Sequence, residues 1–384
     1  MQFATRAIHA GQEPDPAVGA VTPPLHLSAI YAYESPGVTR AGYEYIRDGN
    51  PTRTALETCL ASLENAPDGC PALCFSSGMA ATDGLLRLLR PGERLVMARD
   101  VYGGTTRLAE EVLRPAGTEV VYADATDTAR FVEAITPQTQ LVWIETPSNP
   151  LLRLTDIAAV AEAGHRAGAL VGVDSTFASP FFQNPLDLGA DVVMHSTTKY
   201  LGGHSDLLGG ALIVRDPALR GRLYQLQKIT GAVAAPFDCW LTLRGVRSLA
   251  ARMRLHESNA FAVARFLDGH PKVAAVHYPG LPGHPQHALA ARQMRGFGGM
   301  VAFEMREGAA AARQALERVK VFTLAASLGG VESIISYPAL MSHVSLTPEE
   351  RQRRGISDAL IRLSVGLEDI QDLLADLDQA LQPS

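Results

Sequence analysis

The chain has 384 residues, 47% of them hydrophobic and 19% charged, with a formal net charge of −6. That composition is ordinary for a folded globular protein and long enough for two domains or one large α/β unit with a sizeable core. The lack of a basic surplus argues against nucleic-acid binding, and no apolar run approaches the roughly 20 residues needed to span a bilayer.

The segment Met1 to Gln12 carries Arg6, His9 and Gln12 without a continuous apolar core, so it does not read as a signal peptide, and a cytoplasmic protein is expected. Cys59, Cys70, Cys74 and Cys239 lack the spacing of a redox or zinc motif and are expected to be buried, inert thiols.

Residues 1–48 mix Pro, Gly and aromatic residues without a period, which predicts an irregular arm lying against another subunit. Asn50-Pro51 then reads as a helix start, with Leu56, Leu60 and Leu63 on one face. From 72 to 215, short apolar runs alternate with amphipathic stretches. The runs are Ala72–Phe75, Leu95–Met97, Val120–Tyr122, Leu141–Ile144, Leu170–Val173, Val192–Met194 and Ala211–Val214, and the stretches include Met79–Leu89 and Ile157–Ala167. Buried parallel strands joined by crossover helices have this rhythm, so the prediction is an α/β domain with a mostly parallel, doubly wound sheet over 49–245. After residue 245 the pattern shifts to a long helix, Ser248–Leu267, two strand-like pieces at Val273–Tyr278 and Met300–Glu304, and a closing helix at Asp369–Leu381. A smaller α+β C-terminal domain over 246–384 is expected.

Three pieces carry chemistry. Phe75-Ser76-Ser77-Gly78-Met79 joins a strand end to a helix start, where small residues and free N–H groups suit a phosphate. Asp174 closes the strand Val171-Gly172-Val173 and points toward the crevice in which such sheets bind ligands, although a helix cap or an Arg partner would also explain it. His195-Ser196-Thr197-Thr198-Lys199 follows another strand and offers hydroxyls beside an amine. An anion site, a strand-end carboxylate and a lysine flanked by hydroxyls together describe pyridoxal 5'-phosphate, which needs an amine for its aldehyde and an acid for its pyridine nitrogen.

At this point the chain resembles the Cys/Met-metabolism group of fold-type I pyridoxal-phosphate enzymes. The matching motifs are Tyr43-Glu44-Tyr45-Ile46-Arg47 with Asn50-Pro51-Thr52, Ser76-Ser77-Gly78-Met79, Asp100-Val101-Tyr102-Gly103-Gly104-Thr105 and Glu145-Thr146-Pro147-Ser148-Asn149-Pro150. Further along come Ser196-Thr197-Thr198-Lys199, Ser327-Leu328-Gly329-Gly330 and Ile361-Arg362-Leu363-Ser364-Val365-Gly366. The resemblance implies that Lys199 holds the cofactor and acts as the catalytic acid–base. It implies that Gly78, Met79, Ser196 and Thr198 hold the phosphate, helped by Tyr45 and Arg47 from a neighbouring subunit of a homotetramer built from active dimers. Tyr102 would stack on the ring, Asp174 would pair with its nitrogen and Asn149 would address its hydroxyl. Arg362 would grip the substrate α-carboxylate, with Ser327 positioning that end, and Glu44 and Arg107 would belong to the substrate site. No metal is implied.

Within the group, Gly104 stands where methionine γ-lyases carry a cysteine, which argues against that activity. Ala326 stands where γ-synthases and γ-lyases usually carry a glutamate and some β-lyases an aromatic, so it matches neither. Glu44, Arg107 and the run from Gly329 to Asp369 resemble the cystathionine γ-synthase and γ-lyase branch, with cystathionine β-lyase or O-acylhomoserine sulfhydrylase as alternatives. From other classes, an aminotransferase would share the cofactor site. A zinc hydrolase would have to use His277, His284 and His287, which read better as surface-loop histidines. A binding module without catalysis would leave the cofactor set without a use.

Overall fold

The computed structural model describes residues 1–344 and 346–382; the last two positions of the expected C-terminal domain, 383–384, lie outside the described residues. All seven apolar runs form one sheet: β1 (Leu73–Phe75), β2 (Arg94–Ala98), β3 (Glu119–Ala123), β4 (Thr139–Glu145), β5 (Leu170–Asp174), β6 (Val192–Ser196) and β7 (Gly210–Val214). Their spatial order is β1-β7-β6-β5-β4-β2-β3. The pairings from β6 through β3 are parallel, and β7 runs antiparallel to both β6 and β1.

Both faces of this sheet are covered, which is why its strands read as unbroken apolar runs rather than alternating ones. Val192, Met194 and Leu212 enter one core with Leu95, Trp143 and Ile157, whereas Val193, Ala211 and Ile213 enter a second core with Leu60, Leu243 and Met253. This is the architecture that the resemblance to fold-type I enzymes implies.

Local signals set the helices. In α1 (Pro51–Leu63) the Asn50 side chain accepts the Thr52 and Arg53 N–H groups, and Leu56, Leu60 and Leu63 are buried. Ser77 caps α2 (Gly78–Leu86) by accepting from Ala80 N, and Asp156 caps α3 (Ile157–Ala167), which ends on the left-handed Gly168.

A second sheet of five strands contains Val273–His277, Met300–Met305, Thr323–Leu324, Ile334–Ser336 and Leu360–Ser364. It packs with the long helix Leu249–Asp268 and the final helix Ile370–Leu381 around a separate core that includes Val263, Phe303, Leu363 and Leu377. Two of its short strands had no periodic signal.

The structure corrects two expectations. The arm is not irregular throughout: Phe3–His9 is a helix with Ala7 buried against its own chain, and Tyr33–Ser35 pairs with Val38–Thr39 as a hairpin. A seven-residue helix stabilised by docking leaves too short a pattern to read. The histidines are not loose surface groups either. His284 is buried with Nδ1 accepting from Gln286 N, His277 faces Glu304 at 3.1 Å, and His287 begins a helix with its Nδ1 2.8 Å from the Pro279 carbonyl. Turn and strand contacts use these rings, and no metal-holding group of His, Cys, Asp and Glu occurs among the described residues. The four cysteines are buried and unpaired.

Candidate active site

Parallel strands end together, and the residues just past their carboxyl ends face a shared crevice. Here β4 ends at Glu145, β5 at Asp174 and β6 at Ser196, and cross-strand register sets Glu145 opposite Asp174. A cavity of about 620 Å³ opens above them. It is lined by Gly78, Met79, Tyr102, Arg107, Asn149, Asp174, Ser196, Thr198, Lys199, Ser327 and Arg362, gathered from both sheets.

At one side, the start of α2 meets the end of β6. A Cβ on Gly78 would stand 3.0 Å from Ser196 Cβ, and one on Gly210 would stand 2.3 Å from the Ser77 carbonyl oxygen. Only a chain without side chains at these points can bring the helix start so close to the two serines. Ser77 satisfies the Ala80 N–H, which leaves the first amides of α2 directed at the cavity without an intrahelical acceptor. Thr198 lines the cavity while its hydroxyl bridges to Gly209, accepting from its N–H at 3.0 Å and donating to its carbonyl at 3.2 Å.

Across the cavity floor lies Asp174, buried, with Oδ1 accepting from Thr176 N at 3.0 Å. Burial pushes its carboxyl above the usual range, while the Thr176 hydrogen bonds and the neighbouring His195 pull it back. His195 itself stands behind the floor, 2.5 Å from the equally buried Glu64. Glu145 is driven well above the ordinary carboxyl range, first by burial and then by Asp174.

The amine of Lys199 lies 2.5 Å from Ser327 Oγ. Burial, and secondarily the Arg362 charge, lower its pKa to about 8, so the neutral form is a minority at neutral pH and matches the charged form near pH 8. Ser327 holds a left-handed backbone, φ 81°, an uncommon state for a residue with a side chain and one that structures keep at functional positions. That conformation turns its hydroxyl to Lys199 and its carbonyl to Arg362, which donates to it at 2.8 Å.

Arg362 is buried in Leu360–Ser364 and donates a second bond to Asn149 Oδ1 at 2.8 Å. Both acceptors are neutral, and its Nε has no hydrogen-bond partner among the described residues. A buried guanidinium with no carboxylate contact among the described residues, opening on a cavity, is matched to an anionic ligand.

Tyr102 covers the mouth, 42% exposed, with its backbone N–H donated to Glu145 Oε2 at 2.6 Å. A Cβ on Gly104 would fall 2.4 Å from the Tyr102 ring and 2.9 Å from Met79 Sδ. A cysteine at 104 would displace the tyrosine.

Three predicted residues are not brought to this cavity by their own chain. Glu44, Tyr45 and Arg47 do not line it; Arg47 donates to the Lys228 carbonyl at 2.7 Å and stacks over Tyr45, which is 42% exposed. Conversely, Thr176, Phe177, Leu208 and the segment Met341, Ser342 and Val344 line the cavity without having been singled out, and Glu145, quoted only within a motif, lines it without an assigned role. Glu145 carries the same signal as Asp174, an acid closing an apolar strand, whereas Met341–Val344 has no periodic or motif signal. The donor set fits pyridoxal phosphate: open amides and hydroxyls around glycine for an anion, a buried carboxyl for a ring nitrogen, a partly neutral amine and an aromatic cover.

A family model described as Cys/Met metabolism PLP-dependent enzyme matches residues 4–382. The chain is 54% identical over 379 residues to a cystathionine gamma-synthase of Mycobacterium tuberculosis, covering 98% of this chain and 96% of that protein. It is 50% identical to a cystathionine beta-lyase of Coxiella burnetii, covering 98% and 97% respectively. The crystal structure of a cystathionine gamma-lyase from Micromonospora echinospora superposes with a TM-score of 0.95 at 46% identity, covering 100% of both chains.

Proposed function

We propose, from the premise that this chain belongs to the trans-sulfuration branch of the Cys/Met-metabolism family of PLP-dependent enzymes, that it acts on the γ-carbon of cystathionine or an O-acylhomoserine. The observation that carries this reading is the junction at Ser327, where one residue holds both the amine of Lys199 and the guanidinium of Arg362 in the cavity that Asp174 floors. An α-amino acid gripped by its carboxylate at Arg362 would present its Cα to Lys199.

Bound pyridoxal phosphate would supply the electron sink for the bonds broken at Cα and beyond. The residues of this chain do the rest. Asp174, ionised, would keep a proton on the ring nitrogen, and Tyr102 would cover the ring face. Gly78, Met79, Ser196 and Thr198 would hold the phosphate, and Asn149 would meet the ring hydroxyl while steering Arg362. Lys199 Nζ, neutral in part because of its burial, would take the proton from Cα and then exchange a proton at Cβ, so one base serves both steps of γ-chemistry. Arg107, which lines the cavity without an ion-pair partner among the described residues, would meet the distal end of the substrate, with Glu44 from another subunit.

Residues 1–48 would then form an arm that gives Tyr45 and Arg47 to the neighbouring subunit, with 49–245 as the cofactor-binding domain and 246–384 as the C-terminal domain. A homotetramer of two active dimers follows from that exchange. A cytoplasmic location accords with four buried, unpaired thiols. No helix among the described residues is long and apolar enough to cross a membrane.

Ala326 supports a second reading, β-lyase or O-acylhomoserine sulfhydrylase, because the cavity wall there offers no carboxylate to a distal amine. Product analysis separates the readings. Cystathionine yielding cysteine and 2-oxobutyrate means γ-cleavage, and homocysteine with pyruvate means β-cleavage. An O-acylhomoserine converted to cystathionine with cysteine, or to homocysteine with sulfide, identifies the synthase or the sulfhydrylase. No turnover of any of these overturns the proposal.

A further inference from the structure

Glu145 is a costly residue where it stands. It is 5% exposed, it lies opposite Asp174 on the adjacent strand, and Asp100 adds a third carboxyl nearby. Packing alone does not call for an acid beside another buried acid, since an amide of the same shape would avoid the repulsion. What the carboxyl group does provide is two acceptor oxygens, each able to take a different backbone N–H.

One oxygen, Oε2, accepts from Tyr102 N at 2.6 Å; the other, Oε1, accepts from Asn149 N at 3.3 Å. These two backbones belong to different loops, one following β2 and one following β4. Each carries a side chain of the cavity: the Tyr102 ring at the mouth, and the Asn149 amide that receives Arg362 at 2.8 Å. Tyr102 is the cap residue of a short helix, Gly103–Leu108, that has no side-chain cap bond, and Glu145 accepts the Tyr102 N–H, which has no intrahelical acceptor. Gly104 leaves room for that ring, since a Cβ there would stand 2.4 Å from it.

We infer that Glu145 is a positioning residue that ties the aromatic cover and the carboxylate-gripping arginine to one point on the sheet. A displacement at Glu145 reaches the ring through Tyr102 and reaches the substrate end through Asn149 and Arg362. A single carboxyl thereby sets the spacing between the cover over the cofactor and the grip on the substrate, through the backbones of Tyr102 and Asn149. The inference rests on the cofactor reading above, because only with pyridoxal phosphate bound does the position of Tyr102 have a ring to act on.

Glu145→Gln is the direct test, since Gln keeps the shape and one acceptor but cannot serve both N–H groups. Holoenzyme is compared with apoprotein reconstituted with pyridoxal phosphate. The variant should bind the cofactor about tenfold more weakly by fluorescence titration, in line with losing one charge-assisted hydrogen bond. Its visible circular dichroism should weaken as the cover loosens, and KM for cystathionine should rise together with a fall in kcat, reporting both arms. Glu145→Asp, which keeps two acceptors on a shorter stem, should recover part of the dichroism. If Glu145→Gln lowers only the melting temperature, with cofactor affinity, dichroism and kinetics unchanged, Glu145 is structural and the inference fails. If the Gln chain does not fold, Glu145→Asp carries the test: wild-type dichroism and affinity there overturn the inference, and partial loss supports it. Wild-type apoprotein that does not take up pyridoxal phosphate refutes the cofactor reading instead, so the two failures are distinguishable.

Discussion

The crevice above β4–β6 and the arm before residue 49 are both rich in chemistry-bearing residues, and the chain treats them in opposite ways. In the crevice, Asp174, Glu145 and Arg362 are each no more than 6% exposed, and every one is held by a named backbone or side-chain contact. In the arm, Tyr45 is 42% exposed, Ile30 is 71% exposed, and Arg47 spends its guanidinium on a carbonyl of its own chain. A buried charge must be paired or face a ligand, so the crevice describes its ligand from one chain alone. The arm thus leaves apolar side chains exposed and keeps Glu44, Tyr45 and Arg47 away from the cavity of its own chain, whereas the crevice holds its polar groups by contacts within that chain.

The largest effect is expected at the centre of the crevice. Lys199→Ala should abolish the absorbance near the visible–ultraviolet boundary and reduce turnover by roughly 10³-fold, checked by spectrum and by product formation from cystathionine. Persistence of the band would mean that another amine holds the cofactor. Next comes Arg362→Lys, which keeps the charge but loses the planar fork; kcat/KM should fall by roughly 100-fold, mainly through KM, with the cofactor spectrum retained.

The arm should respond differently. Arg47→Ala should leave the fold intact and weaken cofactor retention by about tenfold, as for loss of one charge-assisted contact. Mixing that variant with Lys199→Ala chains, after dissociation and reassembly, should raise activity at limiting pyridoxal phosphate above that of Arg47→Ala alone, because a mixed pair contains one site with both residues. No complementation would return Arg47 to its own chain.

The smallest effect concerns pH. The neutral form of Lys199 is the reactive one, and its pKa is lowered from 10.5 to about 8 by burial first and by Arg362 second. Capture of pyridoxal phosphate by the apoprotein should therefore speed up as pH rises, with a midpoint near 8. Arg362→Gln removes one of the two lowering influences, so the midpoint should move up; a downward or absent movement would disconnect the two groups.

Much of this was legible in order along the chain. The seven strands, the Asn50 cap, and the residues Gly78, Asp174, Ser196 and Lys199 declare themselves because each is fixed by local physics: buried strands must be apolar, helix starts need caps, and ligands sit where parallel strands end. The docked helix Phe3–His9 was hidden because only tertiary contacts stabilise so short an element.

The sequence by itself determined that a buried sheet exists and that an amine, an acid and a glycine-bearing turn stand at its strand ends, since chain-local pattern encodes these. Only the tertiary structure decided that Ser327 and Arg362 would come from the second sheet to meet Lys199, that Glu145 would hold two loops at once, and that His284 would be buried. Those outcomes depend on contacts between residues far apart in the chain, and no window of neighbouring residues carries the distance between them.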